Sequence, residues 1–263
     1  MPSARTYFLL AALLIGCESR SAPVPRATNA PAASAAQKAG AIRTVRHAAS
    51  EWVTFDLDLD AVELSLVGQR PNEPSTLPAL GPYLAQRKRE LVVATNAGIF
   101  SPTRRPMGLH IQNGQELAPI STADGDGNFF LKPNGVFWLD ERGPHVASTE
   151  NYAPRGKVEL ATQSGPLLVA GGRIHPAFKE SSTSLRIRSG VGVDGRGHVF
   201  IVLSRERVTF HAMATLFRDV LGCPDALYLD GEISAIAAPG FPTPSIHEYG
   251  GLLVATRREM PER

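Results

Sequence analysis

The chain has 263 residues, with 27 Lys and Arg against 25 Asp and Glu, for a formal net charge of +2. So balanced a charge supplies no basic field, and no nucleic-acid partner is expected. With 43% hydrophobic residues and only two cysteines, stability must come from a buried core, not from a disulfide framework.

Residues 1–16 carry one charged side chain, Arg5, ahead of an apolar run from Tyr7 to Ile15 that is too short to span a bilayer. We expect a signal peptide over 1–16. Its end, Leu14-Ile15-Gly16-Cys17, resembles a lipobox, which implies cleavage before Cys17 and lipidation of that cysteine. Cys223 is then left without an intrachain partner. From 17 to 45 the chain is Ala, Pro and Ser with scattered basic residues, too poor in large apolar side chains to offset the entropy of ordering. This reads as a tether. The expected location is the cell envelope, on the periplasmic or surface face of a bacterial membrane, held by the lipid anchor. A folded domain over 46–257 and a frayed tail over 258–263 complete the organisation.

Within the domain, Trp52 to Leu59 and Val62 to Val67 read as strands. Leu77 to Arg89 has helical apolar spacing, with Arg87, Lys88 and Arg89 suited to the negative end of a helix dipole. The strand Leu91 to Ala94 leads into Asn96-Ala97-Gly98-Ile99-Phe100. Short apolar runs follow at Leu109–Ile111, Phe129–Leu131, Val136–Leu139, Leu167–Val169, Val191–Val193 and Val199–Leu203, separated by Gly, Pro and Asn. One amphipathic helix is predicted over Thr209 to Leu221, stopped by Gly222. Asp225 to Leu229 and Leu252 to Ala255 read as the last strands. Because strands dominate and helices do not alternate with them, the expected class is α+β, a single domain of mixed, mostly antiparallel sheet with a few packed helices.

Three strand ends carry polar residues beside glycines, where sites are commonly built. Asn96 with Gly98 forms the first. The second is Arg186-Ile187-Arg188-Ser189-Gly190-Val191-Gly192, in which a guanidinium beside free backbone N–H groups could clamp a phosphate or carboxylate, or could simply decorate an edge strand. In the third, Leu227-Tyr228-Leu229-Asp230-Gly231-Glu232-Ile233-Ser234, Asp230 ends an apolar strand as catalytic carboxylates do, although Asp-Gly is also a turn signal. Asp124-Gly125-Asp126-Gly127-Asn128 imitates a calcium loop but lacks its glycine and glutamate at the required positions. No P-loop, metalloprotease helix or nucleophile elbow is present, and neither a metal nor a cofactor is expected.

Read in order, Asn96-Ala97-Gly98-Ile99-Phe100, the stretch from Gly127 to Phe137, Thr162-Gln163-Ser164-Gly165-Pro166, Arg188-Ser189-Gly190-Val191-Gly192 and Leu227 to Gly231 resemble the phosphodiester glycosidase family, in its bacterial lipoprotein-like branch. The resemblance covers about residues 50 to 257. It implies an extracytoplasmic hydrolase that frees a sugar from a phosphodiester-linked glycan or sugar phosphate. It further implies catalytic roles for Asp230 and Arg188, and substrate contacts from Asn96, Gly98, Gln163, Ser164, Gly165, Ser189, Gly190, Gly231 and Ser234; Glu232, which the family lacks, adds a carboxylate that either joins them as a catalytic acid or base or selects against highly anionic ligands. Two departures stand out. Ala97 replaces a family glycine, and Glu232 with Ile233 interrupts the family's Asp-Gly-Gly-Gly-Ser stretch. Two other functions fit the residues: an envelope module that binds anionic glycans without turnover, and a metal-dependent phosphodiesterase using Asp194, Asp230 and Glu232.

Overall fold

The computed structural model of the protein describes residues 40, 42–231, 233–241 and 246–258. The expected signal peptide, Cys17, the tether up to residue 39, Glu232 and the tail from 259 lie outside the described residues.

In chain order the elements are β1 (Ile42–His47), β2 (Ser50–Leu57), β3 (Val62–Val67), α1 (Leu77–Ala85), β4 (Leu91–Asn96), β5 (His110–Gln112) and β6 (Gln115–Ala118). Then come β7 (Gly135–Asp140), β8 (Gly143–Ser148), β9 (Val158–Ser164), β10 (Leu167–Ala170), β11 (Arg173–Ile174) and β12 (Ser189–Val193). The chain closes with β13 (Val199–Ser204), α2 (Phe210–Thr215), β14 (Asp225–Asp230), β15 (Ile236–Ala237) and β16 (Leu252–Arg257). They form three sheets, ordered β1-β2-β13-β12-β14-β10-β11, β6-β5-β9-β7-β8 and β15-β4-β16-β3. Each strand pairing in them is antiparallel. The α+β expectation, dominated by antiparallel sheet, is met.

The sheets meet at one apolar centre, where Val53, Phe55, Leu64, Val93, Phe137, Leu160, Val191, Ile201, Leu227 and Leu253 pack together. The opposite face of the seven-stranded sheet carries a second core in which Trp52, Phe200, Val202, Ala226 and Tyr228 pack against Met213, Ala214 and Phe217 from α2 and the turn after it. A strand buried on both faces needs no polar alternation, which is why Val199 to Leu203 is continuously apolar. On the four-stranded sheet, Leu77, Leu80 and Leu84 of α1 cover Ala94, Leu252 and Val254.

Several boundaries differ from expectation. Helix α1 stops at Ala85, because Lys88 adopts a φ of 55° while Lys88 N–H bonds Ala85 O (3.1 Å) and Arg89 N–H bonds Leu84 O (3.0 Å). These are the two bonds of a Schellman closure, so the basic triplet is not the helix's last turn. Arg89 instead pairs with Glu63 at 2.7 Å. Phe129 to Leu131 is not a strand: Asn128–Phe130 is a 3₁₀ turn that buries Phe129. The second helix is capped by Thr209, whose hydroxyl accepts from Ala212 N (3.1 Å), and widens into a π-helical turn over Leu216–Val220 before Gly222 at a φ of 68°. Ordered structure also begins earlier than 46, since β1 pairs with β2 from Ile42 opposite Phe55. As an edge strand with most residues exposed, β1 carries little apolar signal.

Candidate functional site

Two sheets bring their polar strand ends together. β12 and β14 pair so that Ser189 lies opposite Asp230, with a bulge that sets Gly190 opposite Tyr228. Asn96, the last residue of β4, comes from the four-stranded sheet. The Ser189 hydroxyl donates to Asn96 Oδ1 (3.0 Å), joining the two sheets. Ser234 Oγ lies 3.0 Å from Ser189 Oγ and 2.7 Å from the Asp230 carbonyl oxygen. Asn96 and Ser189 are fully buried, whereas Asp230 and Ser234 are half-buried, so this chain of polar groups leads outward. Gly231 N–H donates to Asp230 Oδ1, which fixes that carboxylate at the turn.

Arg188 precedes Ser189, so its side chain takes the other face of the strand. It is 1% exposed, donates from Nε to Val208 O (2.9 Å) and from Nη2 to Ser184 O (3.0 Å), and lays its guanidinium 3.6 Å over the Phe210 ring. Burial lowers its pKa from the ordinary arginine value, against the influence of the nearby Tyr228 phenol. Arg188 therefore does not decorate an edge strand: it is an interior cation on β12, a central strand, shared with an aromatic cluster.

The third group of expected site residues is tied into the surrounding packing. Gln163 Oε1 accepts from Leu109 N and Ser121 N, both at 2.9 Å, and its Nε2 donates to Ser121 O (2.6 Å) and Thr149 Oγ1 (3.0 Å). These four bonds use the full capacity of an amide, so Gln163 braces the loop and does not orient a sugar. Ser164 Oγ donates to Leu229 O (3.1 Å) and accepts from Ile99 N (3.4 Å), tying the end of β9 to the end of β14. Gly98, Gly165 and Gly190 permit close packing: a Cβ there would lie within 3 Å of Thr162 Oγ1, Phe129 O and Met213 Cε respectively. At Gly231 it would overlap the Tyr228 hydroxyl oxygen. Glu232 lies outside the described residues.

Two aromatic groups escaped the sequence reading. Tyr228 is 1% exposed and packs edge-on to Phe210, with centroids 4.8 Å apart. Phe210 also stacks on Phe178 (4.9 Å), and Phe178 on His175 (4.7 Å). The alternation of β14 places Tyr228 in the core, so nothing in the pattern marked its hydroxyl, although a phenol two residues before the aspartate was a usable signal. Asp194 sits elsewhere. It follows Val193, opposite Asp225 at the far end of β12, about 16 Å of strand from Ser189 at the usual rise per residue. It is bound to Arg196 at 2.7 Å, so Asp194 and Asp230 do not form a shared metal site. A groove of about 450 Å³ bordered by His47, Glu180, Arg207, Thr209, His211 and Asp219 contains none of the expected site residues.

Residues 89–238, which hold all the polar strand ends described above, match the phosphodiester glycosidase family. The chain belongs to that family. The uncharacterized protein YigE of Escherichia coli (strain K12) is 33% identical over 151 residues, a stretch covering 57% of this chain and 59% of that protein's length. Among solved structures, the fold is shared with the zebrafish N-acetylglucosamine-1-phosphodiester alpha-N-acetylglucosaminidase catalytic domain auto-inhibited by its pro-peptide. That match has a TM-score of 0.57 and 15% identity and covers 82% of each chain. A hypothetical protein from Synechocystis has a TM-score of 0.50 and 16% identity, over 82% of this chain and 61% of its own.

Proposed function

We propose that the protein is an extracytoplasmic phosphodiester glycosidase: it hydrolyses the bond between the anomeric carbon of a sugar and the phosphodiester of a glycan or glycoconjugate. The supporting observation is the hydrogen-bonded series from Asn96 through Ser189 and Ser234 to the Asp230 main-chain carbonyl, which joins two sheets beside the half-buried Asp230 within the family-matched region.

In the reaction the C1–O bond breaks with its electron pair passing to the phosphate oxygen, and water supplies hydroxide to C1. A phosphate is already a good leaving group, so activation of water, or a nucleophile at C1, is the harder requirement. Asp230 is suited to either task, and in the first it takes the proton of the water. Glu232 is a candidate second carboxylate. Arg188 contributes fixed positive charge behind the strand end as negative charge develops on phosphate. Asn96 and Ser189 hold the two sheets in register around the site. Cys17 is proposed to carry the lipid that keeps the domain at the envelope membrane.

The test is a panel of sugar 1-phosphodiesters, including the methyl diester of N-acetylglucosamine 1-phosphate suggested by the zebrafish enzyme's name, with both products detected. Turnover supports the reading. Binding without turnover across the panel would leave a glycan-binding envelope module instead.

A further inference from the structure

Resting on the function just proposed, we propose that the Tyr228 hydroxyl is a further substrate-contacting group, donating to a phosphate oxygen of the phosphodiester, with Arg188 as its positioning residue. The phenol oxygen occupies the space of the side chain that Gly231 lacks, which puts it at the turn between Asp230 and the half-buried Ser234. Its ring is held edge-on by Phe210, and the Arg188 guanidinium carbon stands 5.5 Å from the ring centroid. Arg188 is itself fixed by two main-chain carbonyls, while its third nitrogen, Nη1, is buried without a hydrogen-bond partner.

Burial, foremost, and the Asp230 carboxylate push the phenol above its ordinary pKa, against Arg188 and the Asn128 side chain, which favour its ionised form. Tyr228 therefore stays a neutral O–H at physiological pH. As a neutral phenol it can donate its proton to an acceptor at the turn. A donor backed by a guanidinium and flanked by a carboxylate suits a singly charged diester better than a doubly charged monoester, because the carboxylate repels the second charge.

The experiment measures calorimetric binding of the methyl ester of C-linked N-acetylglucosamine phosphonate, which cannot be cleaved, alongside turnover of the corresponding O-linked diester. Tyr228→Phe keeps the ring and is expected to bind about 10- to 100-fold more weakly, with unchanged far-UV circular dichroism. Gly231→Ala keeps the hydroxyl but displaces it, and is expected to lose affinity similarly. Arg188→Lys should recover most of the affinity that Arg188→Gln loses, and equal losses would overturn the positioning role. Binding within twofold of wild type in a folded Tyr228→Phe or Gly231→Ala protein overturns the proposal, as does a wild type that does not bind. A wild type that binds through Tyr228 but turns nothing over overturns the hydrolase reading alone.

Discussion

His110 makes the acid stability of this domain calculable. It lies on β5 opposite Thr162, is 1% exposed, and sets its Cε1 against Gly251, whose carbonyl accepts from Ala97 N (2.8 Å) just beyond Asn96. Burial lowers its pKa from 6.5 to about 4, with Gln112 and Glu73 acting weakly in the opposite direction. Because the folded value is the lower one, the unfolded chain binds the extra proton. Stability is thus complete above about pH 6.5 and is lost as pH falls towards about 4. The interval, 6.5 minus about 4, corresponds to about 3 kcal/mol, of which about 2 kcal/mol disappears between pH 7.5 and pH 5. Urea unfolding at those two pH values, on wild type and on His110→Gln, isolates the contribution, since the other titrating groups are common to both proteins. The variant should lose about 2 kcal/mol less than wild type on acidification. Equal losses in the two proteins would refute the assignment of a buried neutral imidazole.

Two further expectations separate structural from functional residues. Gln163→Ala removes the acceptor of one buried and one part-buried N–H group and should cost about 2 kcal/mol, seen as a lower Tm, while the protein that remains folded keeps its kcat. Cys17→Ala should move the protein from the membrane fraction to the soluble fraction of the envelope without changing the activity of the released domain.

How much could be read from sequence depended on the range of the interaction. Strands such as Leu91 to Ala94 and Val199 to Leu203 were plain because both faces are buried, and the stop at Gly222 acts within one turn of chain. Lys88 was misread because a left-handed non-glycine residue leaves no compositional trace, and Phe129 because a buried aromatic resembles a strand residue whatever its backbone does. Asn96 and Asp230 were legible as polar residues that close apolar strands, and Ser189 as one that opens a strand. The bracing bonds of Gln163 and Ser164 left no trace in the sequence because their partners, Ser121 and Leu229, are 42 and 65 residues away in the chain. The burial of Arg188 was hidden for a related reason: Phe210 and the Val208 carbonyl, which hold it, arrive from a later segment. Tyr228 was hidden by its own ring, which the core claims, while only its hydroxyl reaches the turn.

Hydrolysis of the methyl diester of N-acetylglucosamine 1-phosphate in ¹⁸O-labelled water tests both the bond cleaved and the role of Asp230. Attack at C1 puts label in the released sugar and none in methyl phosphate, with the rate reduced about 10³-fold in a folded Asp230→Asn protein. Label in methyl phosphate, or an Asp230→Asn protein as fast as wild type, would contradict it.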